Sequence, residues 1–100
     1  MIVCITATGN SVDAEVDPRF GRCSYFAFYD TESGSIEFVE NQWKEAMGGA
    51  GIQAAQFVVQ RGAKKVITGR VGPNAERVLN EAGVEIIFGS GLVKDVIKNL

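Results

Sequence analysis

The order of its short β-rich and amphipathic runs most strongly constrains how this chain can fold. A first β-rich run covers residues 2–8, and it ends at Gly9-Asn10. Two further β-rich runs, 25–29 and 36–39, flank a short connector that contains glycine, which is typical of a β-hairpin. The first hairpin run is apolar on both faces and is expected inside a sheet, whereas the second alternates and is expected at an edge.

The second half of the chain alternates between helix and strand patterns. The predicted elements are a helix at about 50–61, a strand at 65–68, a helix from Pro73 to a stop at Gly83, a strand at 84–88 and a helix at 92–100. Helical crossovers join parallel strands in the right-handed sense. We therefore predict an α/β fold with three helices and a mixed five-stranded sheet in the order 3-2-1-4-5, in which strand 2 is antiparallel. Residues 1–100 are expected to form a single domain with one core.

The composition argues against several classes of function. Ten Lys and Arg residues oppose 12 Asp and Glu residues, for a formal net charge of −2. Because the basic residues form no block, binding to nucleic acid is not expected. No apolar stretch is long enough for a membrane span, and residues 1–5 lack the charged region of a signal peptide. We therefore expect a cytoplasmic protein.

The absence of histidine narrows the chemistry further. Histidine is the commonest general base and the commonest nitrogen ligand for metals. The two cysteines, Cys4 and Cys23, form no CxxC unit, so neither a zinc site nor a disulfide framework is expected. A binding protein is therefore a better expectation than an enzyme, for which Cys23 would be the remaining nucleophile.

Glycine-bearing segments are expected at one rim of the predicted sheet, where ligands of open α/β sheets bind. The four segments are Gly9-Asn10, Gly48-Gly49-Ala50-Gly51, Gly69-Arg70-Val71-Gly72 and Gly89-Ser90-Gly91. Three of these segments lie at the N-termini of predicted helices, where free N–H groups and the helix dipole favour anions. The predicted binding residues in these segments are Asn10, Gly48, Gly49, Gly51, Arg70, Gly72 and Ser90. The alternative is that the glycines serve backbone geometry alone.

A cysteine beside two arginines is the second candidate feature. Arg19 and Arg22 precede Cys23 and are expected to approach the same rim. Neighbouring guanidinium groups lower the pKa of a thiol and favour the thiolate, which is a nucleophile and a soft metal ligand. Cys23 is therefore the predicted metal ligand, and the alternative is a cysteine buried against the sheet. Cys4, in the middle of the first strand, is expected in the core.

Two segments lack a clear structural pattern. The polar and acidic stretch 11–18 is expected to be a solvated loop, with a divalent-cation site as the alternative. The pattern also breaks down over 41–49, where the Met-Gly-Gly of 47–49 predicts a flexible approach to the first helix. Trp43, within this segment, is expected either to cap the core or to contact a ligand as part of a lid.

Three segments together resemble a known protein family. They are Asp17-Pro18-Arg19-Phe20-Gly21-Arg22-Cys23 followed by Tyr25-Phe26, then Gly48-Gly49-Ala50-Gly51-Ile52-Gln53-Ala54-Ala55, then Thr68-Gly69-Arg70-Val71-Gly72-Pro73-Asn74-Ala75. In order and spacing they are similar to the dinitrogenase iron–molybdenum cofactor-binding family. This family includes NifX-type carriers and the carboxy-terminal domain of NifB-type cofactor synthases. The resemblance covers essentially the whole chain.

The resemblance implies a ribonuclease H-like three-layer fold and a non-enzymatic carrier. Such a carrier binds the iron–molybdenum cofactor or its iron–sulfur precursor and passes it on during nitrogenase assembly, so cofactor-assembly proteins are the implied partners. Some members rely on a histidine, which this chain lacks, so Cys23 or hydrogen bonding and charge would replace it. Nuclease activity is not expected, because the first strand presents Cys4 and Thr6 rather than metal-binding carboxylates.

Two other functions remain open from the sequence. The same rim would suit a small-anion or phosphometabolite sensor that holds no metal. Alternatively, the edge strand at about 36–40 would pair with a partner or a second copy in a protein-interaction module. The expected oligomeric state is a monomer or a weak dimer.

Overall fold

The computed structural model describes all 100 residues, Met1–Leu100. The strands are β1 (Ile2–Ala7), β2 (Tyr25–Asp30), β3 (Ile36–Glu40), β4 (Ala63–Thr68) and β5 (Glu85–Phe88). The helices are α1 (Ala50–Gln60), α2 (Pro73–Glu81) and α3 (Val93–Lys98). The element order predicted from the sequence is confirmed, and β4 begins two residues earlier than predicted, at Ala63.

The five strands form one mixed sheet in the order β3-β2-β1-β4-β5. The central strand β1 is antiparallel to β2 and parallel to β4. The outer pairs are β2 with β3, which are antiparallel, and β4 with β5, which are parallel. The predicted strand order is therefore confirmed, and β3 lies at an edge as its alternating pattern indicated.

Two hydrophobic clusters attach the helices to opposite faces of the sheet. The cluster that joins the sheet to α1 and α2 includes Cys4, Phe26, Val66, Ala55, Val58 and Leu79. The cluster that joins the sheet to α3 includes Val3, Ile5, Ala27, Ile67 and Val93. Side chains of successive strand residues point to opposite faces, so alternate residues of β1 enter different clusters. This arrangement is the three-layer α/β fold that the family resemblance implied.

No helix of this fold has the length and apolar character that crossing a bilayer requires.

A buried hydroxyl network joins the ends of β1 and β4 to the loop that precedes β2. The hydroxyl oxygens of Thr6 and Thr68 lie 2.8 Å apart, and the Thr6 hydroxyl donates to the carbonyl oxygen of Asp17 at 2.7 Å. The Asp17 amide donates in turn to the carbonyl oxygen of Thr6 at 2.8 Å. All three residues are almost completely buried. The expected solvated loop at 11–18 is therefore wrong at Asp17, because this residue hydrogen-bonds to the end of β1.

Replacing Thr6 by Val tests the energetic weight of this network. We expect Thr6→Val to lower the free energy of unfolding by about 1–3 kcal/mol, because the buried carbonyl oxygen of Asp17 loses its shorter donor. The remaining donor, the Thr68 hydroxyl, lies 3.3 Å away. Urea unfolding measures the change. Thr8→Val is the control: it removes a hydroxyl that accepts only one exposed hydrogen bond, from the Glu15 amide at 3.2 Å, and it should cost no more than about 0.5 kcal/mol. Equal losses in the two variants would contradict the account.

Candidate functional site

A groove of about 450 Å³ lies where the N-termini of α1 and α2 meet the loop that follows Asp17. Three segments line it, residues 19–22, 49–51 and 70–72, and we call it the arginine groove. Six of the predicted binding residues come together here: Arg19, Arg22, Gly49, Gly51, Arg70 and Gly72. The groove therefore brings together two of the predicted glycine segments and the two arginines that precede Cys23.

The other predicted binding residues do not line the arginine groove. Asn10 lies in the loop after β1, and Ser90 lies in the loop that leads to α3 on the opposite face of the sheet. Gly48 precedes α1, and a Cβ added to it would meet nothing within 4 Å. The four glycine segments all follow strands that run in the same direction, so they lie at one rim of the sheet as expected. Only the segments before α1 and α2 line the arginine groove, because α3 covers the opposite face of the sheet.

Two glycines allow the loop 17–22 to lie against the walls of the groove. A Cβ added to Gly21 would lie 2.8 Å from the Cα atom of Gly51, and one added to Gly69 would lie 2.5 Å from the Cα atom of Pro18. Neither close approach tolerates a side chain. Gly69 belongs to one of the four rim segments, and its close approach agrees with the alternative that these glycines serve backbone geometry. Gly21 was not expected to have such a role, and its only signal in the sequence is its place in a family-like motif.

The three arginines of the groove differ in what their guanidinium groups already bind. Arg19 Nε lies 3.3 Å from the carboxylate of the buried Asp17, which largely compensates its charge. Arg22 donates to two main-chain carbonyl oxygens in the segment 44–46. Arg70 is exposed, and its guanidinium group makes no hydrogen bond or ion pair within the chain. Arg70 is therefore the groove's uncommitted cation.

Free main-chain N–H groups add to this positive site. Neither α1 nor α2 has a side-chain cap at its N-terminus. The amides of Ala50, Gly51 and Ile52 in α1, and of Asn74 and Ala75 in α2, donate no hydrogen bond within the chain. These residues line the arginine groove or a cavity of about 220 Å³ that adjoins it. Together they offer hydrogen-bond donors to an anion, and both helix dipoles favour the same charge.

Cys23 lies in the core beneath this region rather than in the groove. Burial is the main cause that raises the pKa of its thiol to about 12, and the Asp17 carboxylate raises it further. Arg19 lowers the pKa by a smaller amount. The structure therefore shows the alternative expected for Cys23, a cysteine buried against the sheet, and not a thiolate, because loss of hydration outweighs the guanidinium charge. Cys4 is also fully buried, as predicted, and burial raises its pKa as well.

No three cysteine or acidic side chains lie close enough together to hold a metal ion. The role of Cys23 as a metal ligand stays a prediction, and it would require this side chain to leave the core.

The segment before α1 is held by specific contacts rather than being flexible throughout. The buried Asn41 side chain donates to the carbonyl oxygens of Gly21 and Cys23, at 3.0 and 2.9 Å, and accepts from the Trp43 amide at 2.9 Å. The Trp43 ring packs against Phe57 of α1, with 5.5 Å between the centroids. Of the two roles expected for Trp43, the structure shows the contact with the hydrophobic core. We call residues 42–46 the Trp43 turn.

Gly69→Ala tests the close approach that shapes the groove. We expect this variant to lose about 1–3 kcal/mol of unfolding free energy or more, because its Cβ would overlap the main chain of Pro18. Gly72→Ala in the same loop is the matched control, since a Cβ there meets nothing within 4 Å. Its change should stay within about 0.5 kcal/mol. Thermal or urea unfolding of both variants checks the difference, and a tolerant Gly69 would refute the packing argument.

The buried thiols predict a loss of stability at high pH. The folded state keeps Cys23 protonated up to about pH 12, whereas the thiol of the unfolded chain ionises near its ordinary pKa of 9.0. Between these values the unfolded state binds fewer protons, so the free energy of unfolding falls as the pH rises. Urea unfolding at about pH 8 and about pH 10.5 measures this fall, which should be smaller in Cys23→Ala. An identical fall in the variant would contradict the assignment.

Two solved structures share the fold at clear sequence similarity. The apo form of the orange protein from Desulfovibrio gigas matches with a TM-score of 0.92 and 37% identity, covering 98% of this chain and 84% of that chain. The NMR structure of a candidate NifB protein from Thermotoga matches with a TM-score of 0.83 and 39% identity, covering 97% of this chain and 84% of that one.

Sequence comparisons give the family. An uncharacterized protein of Methanocaldococcus jannaschii is 31% identical over 74 residues, which are 71% of this chain and 63% of that protein, so the match spans less than two thirds of the relative. The family model described as dinitrogenase iron-molybdenum cofactor matches residues 1–100. The motif resemblance is thereby confirmed, and the chain belongs to the dinitrogenase iron–molybdenum cofactor family.

Proposed function

We propose that this protein is a non-enzymatic carrier that holds an anionic metallocluster in the arginine groove during metallocofactor assembly. Its family and its structural neighbours support a metallocluster-related carrier role in general terms. The observation that carries the finer proposal is the uncommitted guanidinium group of Arg70 beside two uncapped helix N-termini. The proposed cargo is the iron–molybdenum cofactor or its iron–sulfur precursor, and cofactor-assembly proteins in the cytoplasm are the proposed recipients.

The donors of the groove suit a cluster whose outer surface consists of sulfide and oxygen atoms. Each helix N-terminus contributes about 0.3–1 kcal/mol to a nearby negative charge, or up to about 2 kcal/mol when partly buried. A charge-assisted hydrogen bond from Arg70 adds about 1.5–3 kcal/mol. Association costs about 4–15 kcal/mol, so no single contact would retain the cargo. Together the two helix N-termini and Arg70 supply at most about 7 kcal/mol, which only just exceeds the lower end of that cost. The proposal therefore predicts weak and readily reversible binding, which suits a protein that must release its cargo.

In this proposal the cluster is held by charge and hydrogen bonds, without a ligand from the chain to its metals. The chain has no histidine, and its two cysteines are buried in the core. A cluster that arrives with its own sulfide ligands complete needs no further ligand from the carrier. Transfer to a recipient then breaks only weak contacts, and no metal–protein bond has to be cleaved.

A second candidate function uses the same groove without a metal. Free helix N-terminal amides next to an arginine are equally suited to a phosphate group. The protein would then be a sensor of a small anion or a phosphorylated metabolite. Such a ligand would raise the melting temperature in proportion to the logarithm of its concentration once the site is saturated.

Arg70→Gln tests the proposed role of the groove. We expect it to weaken binding of isolated iron–molybdenum cofactor about tenfold or more, because it removes the uncommitted charge. Anaerobic gel filtration of protein without a histidine tag, followed by iron analysis of the protein peak, measures the retained cluster.

Arg77→Gln is the matched control for this experiment. Arg77 lies on the exposed surface of α2 outside the arginine groove, and its guanidinium group reaches only Asn74. Its removal should leave retention unchanged. Equal retention by both variants would refute the groove as the cluster site. A folded wild-type protein that retains no cluster, but melts at a higher temperature in phosphate, would favour the sensor instead.

A further inference from the structure

The guanidinium group of Arg22 is committed to the protein on one side and free on the other. Its Nη1 atom donates to the carbonyl oxygen of Lys44 at 3.0 Å and also to that of Ala46. These two bonds use both hydrogens of Nη1. Nε and Nη2 have no partner in the chain, although the side chain lines the arginine groove. The Nε–Nη2 edge is a fork that can donate two parallel hydrogen bonds to one anion.

The partners of Arg22 leave its positive charge available. Two main-chain carbonyl oxygens fix the orientation of the guanidinium group but carry no net charge. Arg19 provides the contrast, because a buried carboxylate, that of Asp17, holds its guanidinium group. Arg22 is therefore both oriented and charged.

The Trp43 turn supplies both of these carbonyl oxygens. The turn is held by the side chain of Asn41, by the tilted contact of the Trp43 ring with Phe57, and by a hydrogen bond from Lys44 Nζ to the Ser24 hydroxyl at 3.1 Å. After the turn the chain adds no packing contact at the next two residues: Met47 is fully exposed, and a Cβ added at Gly48 would meet nothing within 4 Å. The position of the turn, and with it the orientation of Arg22, therefore depends on these few contacts.

We infer that the Trp43 turn is a positioning element that aims the free edge of Arg22 at an anion in the arginine groove. The inference rests on the proposed function in one respect only, that an anion occupies this groove. A long side chain that is already oriented loses less conformational freedom when the ligand binds. By linkage, an anion that binds the oriented guanidinium group stabilises the turn by the same factor by which the turn strengthens binding.

Loosening the turn at a distance from the groove tests this inference. Trp43→Ala removes the aromatic contact with Phe57, and we expect it to weaken binding of isolated iron–molybdenum cofactor roughly twofold to tenfold. Trp43→Phe keeps an aromatic contact and should restore most of the affinity. Val96→Ala, on the opposite face of the sheet, is a control for general loss of stability and should leave the affinity unchanged.

The decisive readout is a double-mutant cycle with Arg22. In an Arg22→Gln background, Trp43→Ala should cause no further loss of affinity, because there is no guanidinium group left to orient. Additive losses would show that Trp43 acts independently of Arg22 and would overturn the inference. An unchanged affinity in Trp43→Ala alone would overturn it as well.

Hydrogen exchange of the Trp43 turn provides the reciprocal test. Mass spectrometry of the peptide that contains residues 42–46 should show slower amide exchange when the anion is bound, and this slowing should vanish in Arg22→Gln. Unchanged exchange in the wild-type protein with a retained cluster would overturn the positioning role and leave the carrier proposal standing.

The same variants are titrated in parallel with inorganic phosphate. If the wild-type protein retains no cluster but binds phosphate with the expected coupling between Trp43 and Arg22, the positioning role is supported and the cluster carrier is refuted. Failure of the folded wild-type protein to bind either probe would overturn both.

Discussion

The hydroxyl network of Thr6, Thr68 and Asp17 is the constraint on which the site depends. It fixes the start of the 17–22 loop across the ends of two neighbouring parallel strands, at a point with no access to water. From this anchor the loop passes over the end of β4 and then over the first turn of α1. Close main-chain contacts at Gly69 and Gly21 follow from that path. The arginine groove is the surface left between this loop and the two helix N-termini.

The groove concentrates positive charge in a protein whose overall formal charge is −2. Its three arginines have separate tasks. Arg19 holds the buried carboxylate of the loop, Arg22 is oriented by the Trp43 turn, and Arg70 remains free. Only two of these guanidinium groups, those of Arg22 and Arg70, have hydrogen-bond donors left for a ligand. The site can therefore attract a highly charged anion and still release it. This division agrees with a carrier, whose affinity must lie below that of the recipient.

Sequence patterns predicted the fold closely and the site only in part. Alternation and glycine stops locate the strands and helices, because these signals are local to each element. The positions of Arg70 and Gly72 beside the N-terminus of α2 were predictable for the same reason, because both residues lie between β4 and that helix. The state of Cys23 was not predictable, because its pKa depends on burial that brings Asn41 and the sheet around it. The separation of Ser90 from the groove depends likewise on which face of the sheet α3 covers.

The most direct test of the central claim is a map of the amides that an added cluster approaches. We would record the NMR spectrum of ¹⁵N-labelled protein, anaerobically, with and without isolated iron–molybdenum cofactor in a paramagnetic state. The account predicts selective broadening of amide signals from Gly51, Arg70 and Asn74, while those of Asn10 and Ser90 stay sharp. Broadening centred on the loops around Asn10 and Ser90, with the groove signals unaffected, would contradict it.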